Sequence, residues 1–160
     1  MAILLIVSVS PVPPALTAYG RLLPLRLGLV DSKTGKNAFG DADDPQGITD
    51  VCRSFIAGQL RFARTIDAVI APTVNCLRRR RPHTFSPSNI SWGLEDRSAL
   101  LRVKGGAPES THTENRGPTA LSNPYLVGAA LLSAGLAGID AVELSAWHER
   151  RLDHGDQRAM

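Results

Sequence analysis

Aromatic residues are scarce in this sequence, at 5% of 160 positions, and cysteine occurs only twice. Cys52 and Cys76 show no C-x-x-C spacing, which removes a paired zinc site. They read as reduced, structural thiols of a cytoplasmic protein, with a disulfide between them as the second reading. No long apolar run is present. The longest at the amino end, residues 2–9, is far too short to cross a bilayer as a helix. Basic residues do not precede it as they do a signal-peptide core, so a buried strand is its first reading and a cryptic export signal its second. Aromatics do not interleave the arginines, so a net charge of +3 and a pI near 9.2 do not make a nucleic-acid surface. The acidic group Asp41, Asp43 and Asp44 lacks the alternating register and distal glutamate of an EF-hand, and reads as a solvated turn. His148 and His154, six apart in the charged tail, make a poor helical metal pair.

What is present fits one α+β domain with a real core. Thr49 is a good N-cap, with Asp50 in the first turn where the helix dipole favours negative charge. Ile48, Cys52, Phe55, Ile56, Gln59 and Phe62 then mark a buried stripe, predicting one helix over residues 49–69 that Pro72 ends. A second helix is expected over residues 123–138, capped by Asn123 and opened by Pro124, apolar nearly all round. Residues 98–104 are dominated by Ala, Leu and Val and read as a strand. Lys104-Gly105-Gly106-Ala107-Pro108 has turn chemistry, and residues 109–117 return as a polar strand antiparallel to the first. A period of two puts His112, Glu114 and Arg116 on one face of it, with Thr113 and Asn115 on the other. Cation, carboxylate and cation make a poor core face, because unpaired charge is costly to bury. They suit a cleft that receives anions and a metal ion.

The order of motifs is informative. Asn75-Cys76-Leu77 runs into the arginines Arg78 to Arg81, and Trp92 is followed by Asp96-Arg97-Ser98-Ala99 and Arg102. Then come His112-Thr113-Glu114-Asn115-Arg116, Asn123-Pro124-Tyr125-Leu126 and Ala134-Gly135-Leu136-Ala137-Gly138-Ile139. This series resembles the C-terminal half of a glutamine synthetase catalytic domain. There the pattern runs Asn-Ser-Tyr-Lys-Arg, Trp, Asn-Arg-Ser-Ala-x-x-Arg, Arg-x-Glu-x-Arg, Asn-Pro-Tyr-Leu and Ala-Gly-Leu-x-Gly-Ile. Gly35-Lys36-Asn37-Ala38-Phe39 and the residues from Asp44-Pro45 to Phe55-Ile56-Ala57-Gly58 extend the likeness, which covers residues 29–140. Residues 1–28 form an unmatched segment and residues 141–160 a charged tail. The family pattern His-x-His-x-Ser-Leu just before Asp31 falls on Pro24, Arg26 and Gly28, and nothing here represents the family's β-grasp domain. Residues before about Gly28 are therefore expected to pack poorly on the rest or to be disordered.

The resemblance implies a reaction in which ATP phosphorylates the glutamate side chain and ammonia, or an amine, displaces the phosphate. It implies ATP as co-substrate with magnesium or manganese. Residue by residue, Glu114 matches a metal-holding glutamate, Arg116 and Arg79 match substrate-binding arginines, Arg97 matches an arginine near the transferring phosphoryl group, and Arg102 matches a nucleotide-phosphate arginine. Phe85 stands where the family carries its flexible-loop glutamate, and His112 stands where it carries an arginine. Two functions of different class follow: a ligase of which this chain is an incomplete, inactive piece, and a non-catalytic structural relative. Neither nucleic acid nor membrane is an expected partner. The family's homo-oligomeric rings are not expected either, and exposed apolar surface is.

Overall fold

The computed structural model describes residues 3–9, 23–78, 80 and 86–141. The sheet runs in the order β1-β2-β5-β4-β3. Its strands are β1 (Ile3–Val9), β2 (Leu25–Asp31), β3 (Trp92–Leu94), β4 (Leu101–Lys104) and β5 (His112–Asn115). All neighbours are antiparallel except β3 and β4, which run parallel. The helices are α1 (Asp50–Arg61), α2 (Ala63–Ile70), the short α3 (Val74–Arg78) and α4 (Pro124–Asp140). This is an α+β arrangement with antiparallel strands packed on helices, as the sequence leads one to expect.

The helix-facing side of the sheet follows from alternation. Leu25, Leu27 and Leu29 of β2 and Leu101 and Val103 of β4 are all completely buried. They meet Phe55 and Ile56 of α1 and Val127 and Leu131 of α4 in one core cluster. Phe39, arriving from the loop after β2, lays its ring 5.1 Å from that of Phe55 at 51°, a tilted pair worth about 0.5–1.5 kcal/mol beyond its buried area. Trp92 enters the same core from β3. Both thiols are buried, and Cys76 Sγ lies 3.0 Å from the Thr73 hydroxyl and 3.3 Å from that of Thr119. Burial pushes the Cys52 thiol up to about 12.

Several boundaries differ from the sequence reading, each for a local reason. The expected long helix divides at Phe62, whose N–H is shared between Gly58 O and Leu60 O. The first hairpin strand begins only at Leu101, because the Asp96 carboxylate accepts from both the backbone N–H and the hydroxyl of Ser98 and holds that segment in a bend. The second begins at His112, since Pro108 opens a 3₁₀ turn over Pro108–Ser110. Most clearly, poor packing before Gly28 is overturned for Leu25 to Leu27. They lie in a strand paired on both edges, with β1 on one side and β5 on the other. Residues 1–2 and 10–22 lie outside the described residues, as does the tail from 142.

α1 and α4 meet with almost nothing between their backbones. A β-carbon at Gly58 would lie 2.2 Å from Ala134 O, and one at Gly138 2.2 Å from Ser54 O. Gly138→Ala must therefore push the helices apart, and is expected to lower stability by about 1–3 kcal/mol, read from the urea midpoint. An unchanged midpoint would show that the helices are not this close.

The loop between β2 and α1 is closed by charge. Arg53 Nη2 donates to both Asp44 oxygens at 2.8 and 2.9 Å, while Nη1 donates to Ile48 O at 2.8 Å. The Arg53 hydrogen bond holds the Asp44 carboxyl below its ordinary range, against the opposing effect of burial. A carboxyl depressed in the folded state adds stability above its unfolded pKa of about 4, and that stability is lost as pH falls through the folded value. Asp44→Asn should accordingly lower Tm at neutral pH, and the difference from the parent chain should shrink progressively in acid. A gap that persists unchanged to the acid limit would contradict this.

Candidate functional site

β5 lies between β2 and β4, and its register determines what the sheet face away from the helices carries. Arg26, Glu114 and Arg102 are direct partners across three strands, so their side chains share a face. That face is opposite the core, because the next row, Leu25, Asn115 and Leu101, points into it. Glu114 Oε2 lies 3.9 Å from Arg26 Nε and 3.6 Å from Arg102 Nη1, and Oε1 lies 3.8 Å from Arg116 Nε. The carboxylate thus has guanidinium groups on three sides, all just beyond direct hydrogen-bond reach. Its own side chain is only 10% exposed.

The surrounding groups are fixed locally. Arg116 continues the ladder past β5 by donating its N–H to Leu100 O at 2.9 Å. Burial works against its charge, Glu114 favours it, and the charges of Arg102 and Arg97 oppose it, leaving the guanidinium below its usual pKa. Arg102 is paired with Glu95, which sits in a left-handed bend with φ of 53°. Burial disfavours the Glu95 charge, but the Arg102 hydrogen bond and charge outweigh it and hold the carboxyl below its ordinary range. One row along, His112 Nδ1 lies 2.7 Å from Ser110 O. A cavity of about 240 Å³ opens beside it, with Arg26, Gly28, Asn37 and Glu109 among its lining. Asn37 shapes this wall by donating to Glu109 O and Thr111 O at 3.1 and 2.7 Å.

Of the residues singled out by sequence, the structure brings Glu114, Arg102 and Arg116 together and leaves Arg97 exposed at their margin, close enough to act on Arg116 through its charge. His112, Glu114 and Arg116 do leave Thr113 and Asn115 to the other face: Thr113 donates to Leu27 O at 3.2 Å and Asn115 to Gln59 Oε1 at 3.0 Å. Arg79 and Phe85 lie outside the described residues. Arg26 is the residue that sequence reasoning missed as part of the site. Its signal was the alternation Leu25-Arg26-Leu27-Gly28-Leu29, which marks a half-buried strand with Arg26 on its open face.

The family described as glutamine synthetase, catalytic domain, matches residues 14–155 of this chain. Over 120 residues the chain is 41% identical to a glutamine synthetase of Thermotoga maritima, covering 74% of this chain and 27% of that protein. A glutamine synthetase of Clostridium saccharobutylicum is 44% identical over 107 residues, covering 67% and 24%. A gamma-glutamylethanolamide synthetase of Streptomyces coelicolor is 39% identical over 121 residues, covering 76% and 25%. The chain belongs to the glutamine synthetase family. It spans about a quarter of the length of these relatives.

The family suggests a divalent cation, and the donor set around Glu114 does not fit one. Magnesium and manganese favour oxygen-rich coordination shells. Here one carboxylate is enclosed by Arg26, Arg102 and Arg116, whose charges would repel the ion. Groups of three or more His, Cys, Asp or Glu able to hold a metal are absent among the described residues. Nor is any helix of the described residues long and apolar enough to cross a membrane.

The anchor of this face can be tested from its buried side. Asn115 donates to Gln59 and accepts from the Gly117 N–H at 3.0 Å each. Asn115→Ala leaves both partners buried without it, and should cost about 1–3 kcal/mol of stability by denaturant titration. A loss within a few tenths of a kcal/mol would show that these groups find other partners.

Proposed function

We propose that this chain carries the arginine-lined part of a ligase surface of the glutamine synthetase type, taking ATP phosphates and a glutamate carboxylate. The 160-residue chain by itself does not complete the reaction. The observation that carries this reading is the row Arg26–Glu114–Arg102 with Arg116 beside it, since guanidinium forks suit phosphate and carboxylate. Phosphoryl transfer to a carboxylate brings two anions together, and relies on positioning and on compensating positive charge. Arg102, Arg116 and Arg97 supply such charge from three separate segments of the chain. The single carboxylate Glu114 does not supply a cation site, which supports the absence of turnover. The Streptomyces relative is named for joining a glutamyl group to ethanolamine, so the acceptor of a complete enzyme is an amine or ammonia. A non-catalytic relative is the second reading. It is favoured by the exposed apolar side chains Val74, Leu77, Leu121, Tyr125 and Leu126, which suit an assembly surface.

The test is phosphate release by the purified chain with ATP, magnesium and glutamate, with and without ammonia or ethanolamine. Release at the no-protein background is the expected result. Glutamate-dependent release that disappears in Glu114→Ala would establish a competent site and overturn the reading.

A further inference from the structure

The inference drawn here rests on the reading of the arginine-lined sheet face as a ligand surface, and deepens it. We propose that Arg26, Arg102 and Arg116 around Glu114 form a phosphate-class oxyanion site that works without a divalent cation, with the Arg26 guanidinium supplying positive charge beside the carboxylate.

Three observations carry it. The first is charge. Arg26, Arg102 and Arg116 approach Glu114 to 3.9, 3.6 and 3.8 Å, Glu95 pairs with Arg102, and Asp96 lies close enough to favour the charge of Arg116. With the exposed Arg97 the face carries four guanidinium groups against three carboxylates, a net positive charge. The second is unmet hydrogen bonding. Arg26 Nε and Arg102 Nε are buried N–H donors without an acceptor among the described residues, and His112 Nε2 is likewise buried without a hydrogen-bond partner among them. Glu114 attracts the guanidinium groups without taking up these donors. A buried donor left unmet is costly, and a tetrahedral oxyanion brings several acceptor oxygens at once. The third is space. Arg26 and His112 both line the cavity of about 240 Å³ at the end of the row, so an anion seated on the row has room to extend there.

A divalent cation and an oxyanion make opposite demands on Glu114. A cation needs its negative charge and is repelled by the arginines. An oxyanion is held by the arginines and repelled by Glu114. The sign of one substitution therefore separates the two.

The experiment is isothermal titration of the full chain with inorganic pyrophosphate in excess EDTA, repeated with excess magnesium chloride. Binding in EDTA is expected, weakening as sodium chloride is raised. Arg26→Gln should lower affinity about tenfold, the scale of one charge-assisted hydrogen bond. Glu114→Gln, which removes the opposing charge with little change of shape, should raise it severalfold. Lys33→Gln, on an exposed turn away from the row, should leave it unchanged. Circular dichroism checks that each variant is folded, and should Arg26→Gln not fold, Glu114→Gln decides alone. Binding that requires magnesium, or that weakens in Glu114→Gln, would overturn the proposal. Magnesium-dependent binding of pyrophosphate would sink this inference and leave the ligase-surface reading standing. Failure of both pyrophosphate and ATP to bind, with or without magnesium, would sink both.

Discussion

The position of β5 between β2 and β4 is the constraint on which the rest of this structure depends. Thr113, Glu114 and Asn115 each have partners on both sides, so one register sets two faces at once. In the observed register Thr113 and Asn115 point at the helices, and Glu114 points away toward the arginines. A slip of one residue would reverse this, driving a carboxylate into a layer of leucine and phenylalanine and lifting Asn115 off Gln59. The penalty for a buried unpaired carboxylate is large enough that core and site cannot be specified independently. The Asn115–Gln59 bond acts as the index mark, because this bond across an apolar layer forms in only one alignment.

Charge elsewhere on the chain is put to a different use. Asp44 and Arg53 close the loop that delivers Phe39 into the core, and Asp67 receives Arg80 at 2.8 Å. Two aspartates of the 41–44 turn are likewise occupied locally: Asp41 accepts the Asp43 N–H, and Asp44 accepts the N–H groups of Gln46 and Ile48. Acidity in that segment serves to shape a turn. The sheet face away from the helices is different in kind, since its cations converge on one carboxylate, and Arg26 and Arg102 each retain an Nε donor that no described residue accepts.

How much could be read beforehand varied with the range of the interaction. The caps Thr49 and Asn123 and the Gly105-Gly106 turn are short-range signals, and α1, α4 and the β4–β5 hairpin appear where those signals put them. The five-stranded sheet did not announce itself in the same way. β3 is a parallel strand of three residues, too short to show a period. β2 was obscured because the departure from the family's histidine pattern at Pro24, Arg26 and Gly28 suggested loss of structure. The leucines between those positions keep the strand regardless. Arg26 escaped notice for the same reason: its importance comes from a partner at the far end of the sequence, which only the strand pairing reveals.

Trp92 stands one strand away from the guanidinium row, buried to 3% exposure and in register with Leu101, the residue before Arg102. The chain therefore carries an optical gauge on the strand pair that presents this face. Indole emission shifts and quenches with small changes in local field and packing, so any movement of β4 on charge binding at Arg102 would be recorded without an added dye. The sequence holds one other indole, Trp147, and exchanging it for phenylalanine would isolate the signal. A residue selected for filling the core thus doubles as an intrinsic reporter of events on the opposite side of the sheet.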